Sequence, residues 1–195
     1  MVKPYAQWTY YFQELVRLPL ILVMDEAYIQ FSDPEGSALD KVQSHQNLIV
    51  LRTFSKWAGL AGLRIGYGVF PEALGAIIMK AKQPYNVSVA AERAAVITMR
   101  NLPKAEKNIA RIVESRGTLY EALSQIPWLR PYPSQANFIL CKVENVSAVG
   151  LKEKLRAQGI MIRYFDKPGL DDHIRISVGT REQTEALIKA LKGIE

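Results

Sequence analysis

The stretch LPLILVMDEAY, Leu18–Tyr28, indicates the fold class of this 195-residue chain. Within it, Leu20–Met24 is apolar at every position, and the carboxylate of Asp25 follows directly. Uninterrupted apolar strands are typical of parallel sheets, because other elements cover both faces of such sheets. Asn47–Leu51 (NLIVL) repeats the pattern, and Ile65–Phe70 is a third candidate strand. We therefore expect an α/β fold built on a mostly parallel sheet with flanking helices.

Predicted helices alternate with predicted strands along the whole chain. The helical segments are Tyr10–Arg17, Pro71–Lys80, Ala90–Arg100, Lys104–Ile126, Ser147–Gln158 and Arg181–Lys192. After the long fourth helix the predicted strands are Ala136–Val143, Ile160–Phe165 and His173–Val178. Because the pattern changes at that helix, we expect two domains. Residues 1–103 are expected to form part of a larger domain, and residues 104–195 a linking helix and a smaller C-terminal α/β domain.

The composition is that of a soluble globular protein, with 49% apolar and 23% charged residues. The single cysteine, Cys141, excludes an internal disulfide and is typical of a reducing compartment. No segment reaches the roughly 18 consecutive apolar residues of a membrane span, and the N-terminus lacks the features of a secretory signal. No group of cysteine, histidine and acidic residues has metal-ligand spacing. We therefore expect a soluble intracellular protein with no membrane partner and no metal.

The net charge of +6 invites comparison with nucleic-acid-binding proteins. The basic residues are interspersed with acids, however, as in Leu151–Gly159 (LKEKLRAQG) and in 104–116. Such mixtures are typical of solvated helix faces rather than of a basic stripe. We therefore expect no nucleic-acid partner. The alternative, a nucleic-acid-binding module, predicts binding that weakens steeply as the salt concentration rises.

The second informative stretch is RTFSKWAGLAGLRIGYG, Arg52–Gly68, in which Lys56 follows a predicted strand. A lysine amine can form a Schiff base with a carbonyl compound. The hydroxyls of Thr53 and Ser55 precede it, and Arg64 lies eight residues further on among glycines. A guanidinium binds phosphate through paired hydrogen bonds, and glycines let the backbone approach an anion closely. A surface lysine is the alternative for Lys56 alone, but the neighbouring phosphate-binding groups favour a site.

Asp25 and Tyr28 add the groups that a pyridine ring requires. Asp25 lies at the carboxyl end of a predicted buried strand, where open α/β sheets bind ligands. A carboxylate there holds a ring nitrogen protonated and makes the ring an electron sink, and Tyr28 can donate to a phenolic oxygen. With the amine and the phosphate-binding groups, they complete the set that pyridoxal 5'-phosphate (PLP) requires. The alternative is the metal-binding strand of a P-loop nucleotidase, whose GxxxxGKS/T motif would lie upstream. The sequence RTFSK followed by GLRIGYG has no place in such a protein.

Five segments resemble the histidinol-phosphate aminotransferase family of fold-type-I PLP-dependent enzymes, in the same order and at comparable spacing. They are DEAYIQF, NLIVLRTFSKWAGLAGLRIGYG, KQPYNVS, SQANFIL and HIRISVGT, and the resemblance extends over about 20–191. It implies part of the fold-type-I large domain followed by the smaller C-terminal domain. It also implies that Lys56 forms the Schiff base, that Asp25 contacts the pyridinium nitrogen, and that Tyr28 contacts the phenolic oxygen. The implied phosphate contacts are Thr53, Ser55 and Arg64.

Three residues of the second half are candidates for substrate binding. Arg175 interrupts the apolar strand IRISV, and a long cation in a buried strand requires an anion; a structural salt bridge is the alternative. The resemblance implies that Arg175 binds the substrate carboxylate and that Arg163 lies near the substrate phosphate. It also implies a substrate contact for Asn137, for which a core asparagine is an equal alternative.

The resemblance implies a transaminase of histidine biosynthesis, which converts histidinol phosphate and 2-oxoglutarate into imidazole acetol phosphate and glutamate. It also implies a homodimer. The segments RTFSKWAGLAGLRIGYG and KQPYNVSVAAE resemble most the plant-like members of the family, which are plastidic. A protein of another lineage is expected in the cytoplasm. The alternatives are another fold-type-I aminotransferase or decarboxylase, and a non-catalytic truncated paralogue that pairs with a full-length subunit.

The sequence also departs from the family pattern. The N-terminal arm, the phosphate-cradling turn at a helix start, the ring-stacking aromatic residue and the asparagine near the phenolic oxygen have no counterpart here. A missing helix N-terminus removes backbone donors that would hold the phosphate. Trp57 is bulkier than we expect beside a Schiff-base lysine. We therefore expect the isolated chain to be a poor catalyst.

Overall fold

The computed structural model describes residues 4–194, and the side chains of residues 10–33 and 35–194 within them. The chain divides into two compact units, of which the first ends at Glu106 and the second begins at Lys107. The division lies inside the long helix, close to the boundary expected after residue 103. The assignment of the units as a large and a small domain stays a prediction, and residues 1–3 and 195 of those domains lie outside the described residues.

The first unit contains a mixed three-stranded sheet. Its strands are β1 (Leu22–Asp25), β2 (Leu48–Thr53) and β3 (Gly66–Val69), in that spatial order. β1 and β2 are parallel, as their apolar runs predict, whereas β3 is antiparallel to β2. A parallel connection needs a crossover of a dozen or more residues, usually a helix. The segment 54–65 contains only turns and one short 3-10 helix, and it returns the chain beside β2 in the opposite direction.

The helices of the first unit are α1 (Pro4–Leu15), α2 (Glu72–Ala81) and α3 (Val89–Arg100). Short 3-10 helices lie at Ile29–Phe31, Pro34–Gly36, Leu39–Ser44 and Ala61–Leu63. Pro71 immediately precedes α2, and the Ser88 side chain caps α3 by accepting from the Ala91 N–H. The predicted helices near α2 and α3 are therefore confirmed, whereas α1 begins and ends earlier than the predicted Tyr10–Arg17.

Only one face of this sheet has a continuous core. Phe12 of α1 packs with a buried cluster to which β1 and β2 contribute, and whose buried members are Phe12, Ala38, Val42, Leu48 and Val50. On β1 the alternate residue Val23 is 50% exposed, and Leu51 of β2 is 38% exposed. The expectation that both faces of an all-apolar strand are covered is therefore wrong for β1 within the described residues. Side chains alternate across a strand. On the second side Ile49, the register partner of Val23, is buried, whereas Val23 and Leu51 are only partly covered.

The second unit is an antiparallel sheet packed against helices. Helix α4 (Leu102–Ser124) leads into it, and α5 (Ala148–Ala157) and α6 (Arg181–Lys192) follow. Its strands are β4 (Leu129–Pro131), β5 (Phe138–Val143), β6 (Arg163–Tyr164) and β7 (His173–Ser177), in the spatial order β4-β5-β7-β6. The sequence did not predict β4, because proline is disfavoured within strands; Pro131 is tolerated since β4 is an edge strand. β6 is shorter than the predicted Ile160–Phe165, because only two residues pair with β7.

The core of the second unit lies between its helices and one face of β5 and β7. The buried members include Leu119 and Leu123 of α4, Ile139 and Cys141 of β5, Leu151 and Leu155 of α5, Ile174 of β7, and Leu187 and Leu191 of α6. Burial raises the pKa of the Cys141 thiol to about 12, so it stays protonated and is a poor nucleophile.

Among residues 4–194, no helix combines the length and the apolar content that crossing a membrane would require. Within the same range, no three histidine, cysteine or acidic side chains lie close enough together to hold a metal ion.

Candidate active site

Asp25 lies at the carboxyl end of β1, and Tyr28 lies in the turn that follows. Asp25 is the last residue of the strand and lies beside Leu51 of β2 in the parallel register. Its exposed carboxylate accepts a hydrogen bond of 3.0 Å from the Ala27 N–H, which turns the chain toward the half-buried Tyr28. The carboxylate predicted to contact a ring nitrogen is thus at the strand end, where open α/β sheets bind ligands.

Thr53 ends β2 and joins both ends of the loop that carries Lys56. Its hydroxyl donates to the Ile65 carbonyl at 3.3 Å and accepts from the Ser55 N–H at 3.0 Å. The Phe54 N–H also donates to the Ile65 carbonyl, at 3.1 Å. The Thr53 hydroxyl and the Ser55 backbone, which carry the two predicted phosphate-binding groups, therefore lie together at the neck of the loop.

Lys56 is exposed, and its ammonium group contacts the residue predicted to share its site. The Lys56 Nζ lies 5.6 Å from the centroid of the Tyr28 ring, within the range of a cation–π contact. This contact brings the segments after β1 and β2 together. The neighbouring Trp57 is buried, with its ring centroid 5.3 Å from that of Phe54. The large indole that we expected to affect access to Lys56 thus packs against Phe54.

Arg64 adopts a backbone conformation that the sequence did not predict. It ends the Ala61–Leu63 turn with φ 54° and ψ 47°, in the left-handed region. Non-glycine residues with such angles are uncommon and are concentrated at functional sites. The exposed guanidinium donates from Nη1 to the Ala61 carbonyl at 2.9 Å. Arg64 is therefore held near the loop neck while its guanidinium remains accessible to an anion.

Gly66 allows β3 to approach β2 next to the site. It lies opposite Thr53 in the antiparallel register, and a Cβ atom placed on it would be 2.7 Å from the backbone oxygen of Arg52. That contact is far shorter than van der Waals separation, and a backbone oxygen in a sheet cannot rotate away. The glycine is thus required by the close approach of two strands.

We expect Gly66→Ala to lower the free energy of unfolding of the first unit by about 2 kcal/mol, the usual cost of overpacking. Gly62→Ala is the matched control, because a Cβ at Gly62 meets no atom within 4 Å. Urea unfolding of the two variants and the unaltered chain measures the difference. Equal midpoints for Gly66→Ala and Gly62→Ala would contradict the close approach of β3 to β2.

One group of residues behind the site was missed by the sequence reasoning. Glu26 is 6% exposed, and its Oε2 accepts from Nε and Nη2 of Arg52 at 3.0 and 2.9 Å. Ser37 donates its hydroxyl to the same carboxylate and accepts from Arg52 Nη2 at 2.9 Å, and the Ala38 N–H donates to Glu26 Oε1. We call Glu26, Ser37 and Arg52 the Glu26 network. Its signal in the sequence is a charged residue directly beside each strand-end site residue.

The Glu26 network lies beside the third strand. Arg52 lies directly opposite Tyr67 of β3 in the antiparallel register. The pKa of Arg52 is raised: burial acts to lower it, but the hydrogen bonds with Tyr67 and Glu26 and the charge of Glu26 raise it by more. The network therefore holds a charged guanidinium on β2 against the carboxylate that directly follows β1.

In the second unit, Arg163 of β6 and Arg175 of β7 are directly opposite each other. Opposed residues on neighbouring strands share a face of the sheet, and like charges in such pairs are unfavourable without an anion. The Arg175 guanidinium carbon lies 4.9 Å from the Phe138 ring centroid, and its buried Nε has no hydrogen-bond partner. No carboxylate of residues 4–194 lies within 4.0 Å of it, so the alternative of a structural salt bridge is wrong for the described residues.

Asn137, the third predicted substrate contact, immediately precedes β5 and is half-buried. Its backbone carbonyl accepts from the Val178 N–H at 2.9 Å, which extends the pairing of β5 with β7. The nine predicted site residues thus form two groups. The first unit holds Asp25, Tyr28, Thr53, Ser55, Lys56 and Arg64, and the second holds Asn137, Arg163 and Arg175.

Comparison with known proteins identifies relatives over most of the chain. The sequence profile of the family aminotransferase class I and II matches residues 4–191. The chain is 49% identical over 180 residues to a chloroplastic histidinol-phosphate aminotransferase of Nicotiana tabacum, covering 92% of this chain and 43% of that protein. It is 49% identical over 185 residues to a histidinol-phosphate aminotransferase of Roseiflexus castenholzii, covering 93% of this chain and 49% of that protein.

The fold is likewise similar to a solved structure. The histidinol-phosphate aminotransferase from Clostridium acetobutylicum aligns with a TM-score of 0.88 at 27% identity, over 97% of this chain and 58% of that one. The chain spans about half the length of the curated relatives it matches. Because the family match extends through both units and includes every residue of the candidate site, this chain belongs to the aminotransferase class I and II family.

Proposed function

We propose that this chain carries part of the active site of a PLP-dependent transaminase of the histidinol-phosphate aminotransferase type. The observation that carries the proposal is the convergence of Asp25, Thr53 and Lys56 at one end of the sheet of the first unit. Lys56 contacts Tyr28, and Thr53 contacts Ser55 and closes the loop that holds Arg64. An amine, a carboxylate, a phenol, two hydroxyls and a guanidinium are the donor set that PLP needs.

The residues present fit PLP in their chemistry and exposure. Asp25, Lys56 and Arg64 are exposed, so each can meet a ligand without a change in the core. The exposed Arg64 guanidinium, on the loop that the Thr53 hydroxyl closes, and the Thr53 and Ser55 hydroxyls are the groups suited to a phosphate dianion. When bound, PLP supplies an electron sink for the carbanion that forms when a substrate loses its Cα proton.

Each residue of the first unit then has a defined role. The Lys56 amine would hold PLP through its aldehyde carbon, with loss of water, and as a free amine it would carry the proton to and from the substrate Cα. Asp25 keeps the ring nitrogen protonated, and Tyr28 donates to the phenolic oxygen. Thr53, Ser55 and Arg64 hold the phosphate.

For the second unit we propose the substrate anions as ligands. Arg175 offers an unpartnered, buried Nε, and Arg163 is the opposed cation on the next strand. We assign the substrate carboxylate to Arg175 and the phosphate to Arg163, with Asn137 beside them. The proposed reaction moves the amino group of histidinol phosphate to 2-oxoglutarate, which leaves imidazole acetol phosphate and forms glutamate. The names of the relatives support this choice over another aminotransferase or a decarboxylase of the same fold type.

A second candidate function follows from the exposed apolar surface of the first unit. Val23 and Leu51 leave one sheet face open, and a further exposed set on α2, α3 and the segment between them comprises Ile77, Met79, Tyr85, Val89, Ile97 and Met99. Exposed apolar residues that group together on a surface mark protein interfaces. We propose a homodimer for the complete enzyme, and a non-catalytic chain that pairs with a full-length subunit as the alternative for this one. A plastid location is proposed for a plant protein, and a cytoplasmic one otherwise.

Borohydride reduction tests the proposed function directly. The purified chain is mixed with PLP, reduced, digested and analysed by mass spectrometry. We expect one stoichiometric phosphopyridoxyl group on Lys56, and a transaminase assay with histidinol phosphate and 2-oxoglutarate then measures turnover, which we expect to be low for the chain alone. Label scattered over several lysines would contradict the proposed site and favour the non-catalytic alternative.

A further inference from the structure

The Glu26 network lies directly behind two residues of the candidate PLP site. Glu26 follows Asp25 in the chain, and Arg52 precedes Thr53. Successive side chains of a strand point to opposite faces of a sheet. The network therefore occupies the face opposite the one that carries Asp25 and Thr53, at the same end of β1 and β2.

The Glu26 carboxylate is fully bonded despite its burial. Arg52, Ser37 and the Ala38 N–H together donate to both of its oxygens, and Ser37 also accepts from the Leu39 N–H. A buried charge is tolerated only when its partners are complete and well placed. This network consequently has one arrangement, and any movement of the β1 end relative to the β2 end breaks several bonds at once.

The site residues themselves lack such restraint. Asp25 and Lys56 are exposed, and an exposed side chain gains little order from packing. The backbone bonds nearest to them are the Glu26 N–H to the Leu51 carbonyl, at 2.9 Å, and the Phe54 N–H to the Ile65 carbonyl, at 3.1 Å. Both lie at the carboxyl ends of β1 and β2, where the ion pair of Glu26 and Arg52 is a buried side-chain contact between the two strand ends.

We propose that Glu26 and Arg52 are positioning residues for the PLP site. Their ion pair holds the ends of β1 and β2 at a set separation, so that Asp25 and Thr53 meet the ring nitrogen and the phosphate of one PLP molecule. Because Thr53, which follows Arg52, bonds to the Ile65 carbonyl at the neck of the Lys56 loop, the same strand end also carries that loop. The inference rests on the proposed function, since it assigns the network a role toward that same site.

The test compares Glu26→Gln with Val42→Ala. Glutamine keeps the shape of Glu26 and removes its charge, whereas Val42→Ala makes a cavity in the buried cluster of the same unit and leaves the network unaltered. Arg52→Lys retains the charge but not the planar fork, and is expected to resemble Glu26→Gln. All variants are studied at a temperature where their circular dichroism is native.

Two readouts separate positioning from stability. The first is hydrogen exchange without PLP at the Glu26 and Phe54 amides, which we expect to accelerate at least about tenfold in Glu26→Gln relative to the amides in the middle of β2. The second is the PLP concentration that half-saturates borohydride labelling of Lys56. A displaced contact costs about tenfold or more in such a measurement, so we expect that rise in Glu26→Gln and a change below twofold in Val42→Ala.

The outcomes are distinct. Unchanged half-saturation in Glu26→Gln, or an equal rise in Val42→Ala, would overturn the inference, because the network would then act on stability alone. Lack of labelling in the unaltered chain would overturn the proposed function and the cofactor part of this inference with it. Faster exchange confined to the strand ends would in that case uphold the ordering part, and uniform exchange would overturn that as well.

Discussion

Replacing Lys56 by alanine is expected to remove the borohydride-stable PLP adduct completely. An alanine methyl group has no amine to react with the aldehyde, and among the described side chains Lys56 is the lysine with a cation–π contact to a tyrosine ring. Asp25→Asn is expected to retain the adduct at Lys56 but to require about tenfold more PLP, because an amide cannot pair with a protonated ring nitrogen. Peptide mass mapping of the reduced chain measures both effects.

Lys80→Ala is the matched control for Lys56→Ala, since Lys80 is an exposed lysine on α2 of the same unit. It is expected to leave the extent of labelling at Lys56 unchanged. A second lysine that takes up a full equivalent of label in the Lys56→Ala chain would show that the aldehyde reacts by exposure alone. That result would contradict the assignment of Lys56.

Leu123→Ala is expected to lower the free energy of unfolding of the second unit by about 3 kcal/mol. Leu123 is fully buried on α4 and belongs to the cluster that joins α4, α5 and α6 to β5 and β7. Truncation removes apolar area and leaves a cavity that the close-packed neighbours fill only in part. The protection of the slowest-exchanging β5 amides, which lie between β4 and β7, reports this loss for the second unit by itself.

Val113→Ala is the matched control, because Val113 lies on the same helix and is 37% exposed. Its expected effect is below about 1 kcal/mol, since little buried area is lost. Similar losses in the two variants would mean that α4 presents a different face to the core. The contrast therefore tests which face of α4 packs against the core of the second unit.

The apolar runs predicted β1 and β2 to within a few residues, because a strand buried among apolar neighbours needs apolar side chains at successive positions. The same reasoning was wrong about coverage. Val23 lies in an apolar run typical of a strand that is covered on both faces, yet its side chain is 50% exposed. The polarity of a side chain sets its preference for a buried position. Which elements pack against it determines whether it is in fact buried. The pattern also could not predict that β3 is antiparallel to β2, because an alternation of apolar residues looks the same in either strand direction.

The candidate site divides in a similar way. The type and spacing of Asp25, Lys56 and Arg64 were sufficient to predict the chemistry, since each group has a required ionic or covalent property. Their relation in space was not. The contact of Lys56 with Tyr28 joins residues from the ends of two strands, and the opposition of Arg163 and Arg175 depends on the register of β6 with β7. Neither follows from distance along the chain.

The amino-acid sequence by itself determined the α/β class, the positions of most helices and strands, and the set of groups suited to PLP, because these depend on local periodicity and on side-chain chemistry. Only the tertiary structure decided the mixed order of the first sheet, the left-handed backbone at Arg64 and the buried Glu26 network. Those features arise where segments distant in the chain pack together. Their stability depends on interactions between segments, which the sequence of one segment does not specify.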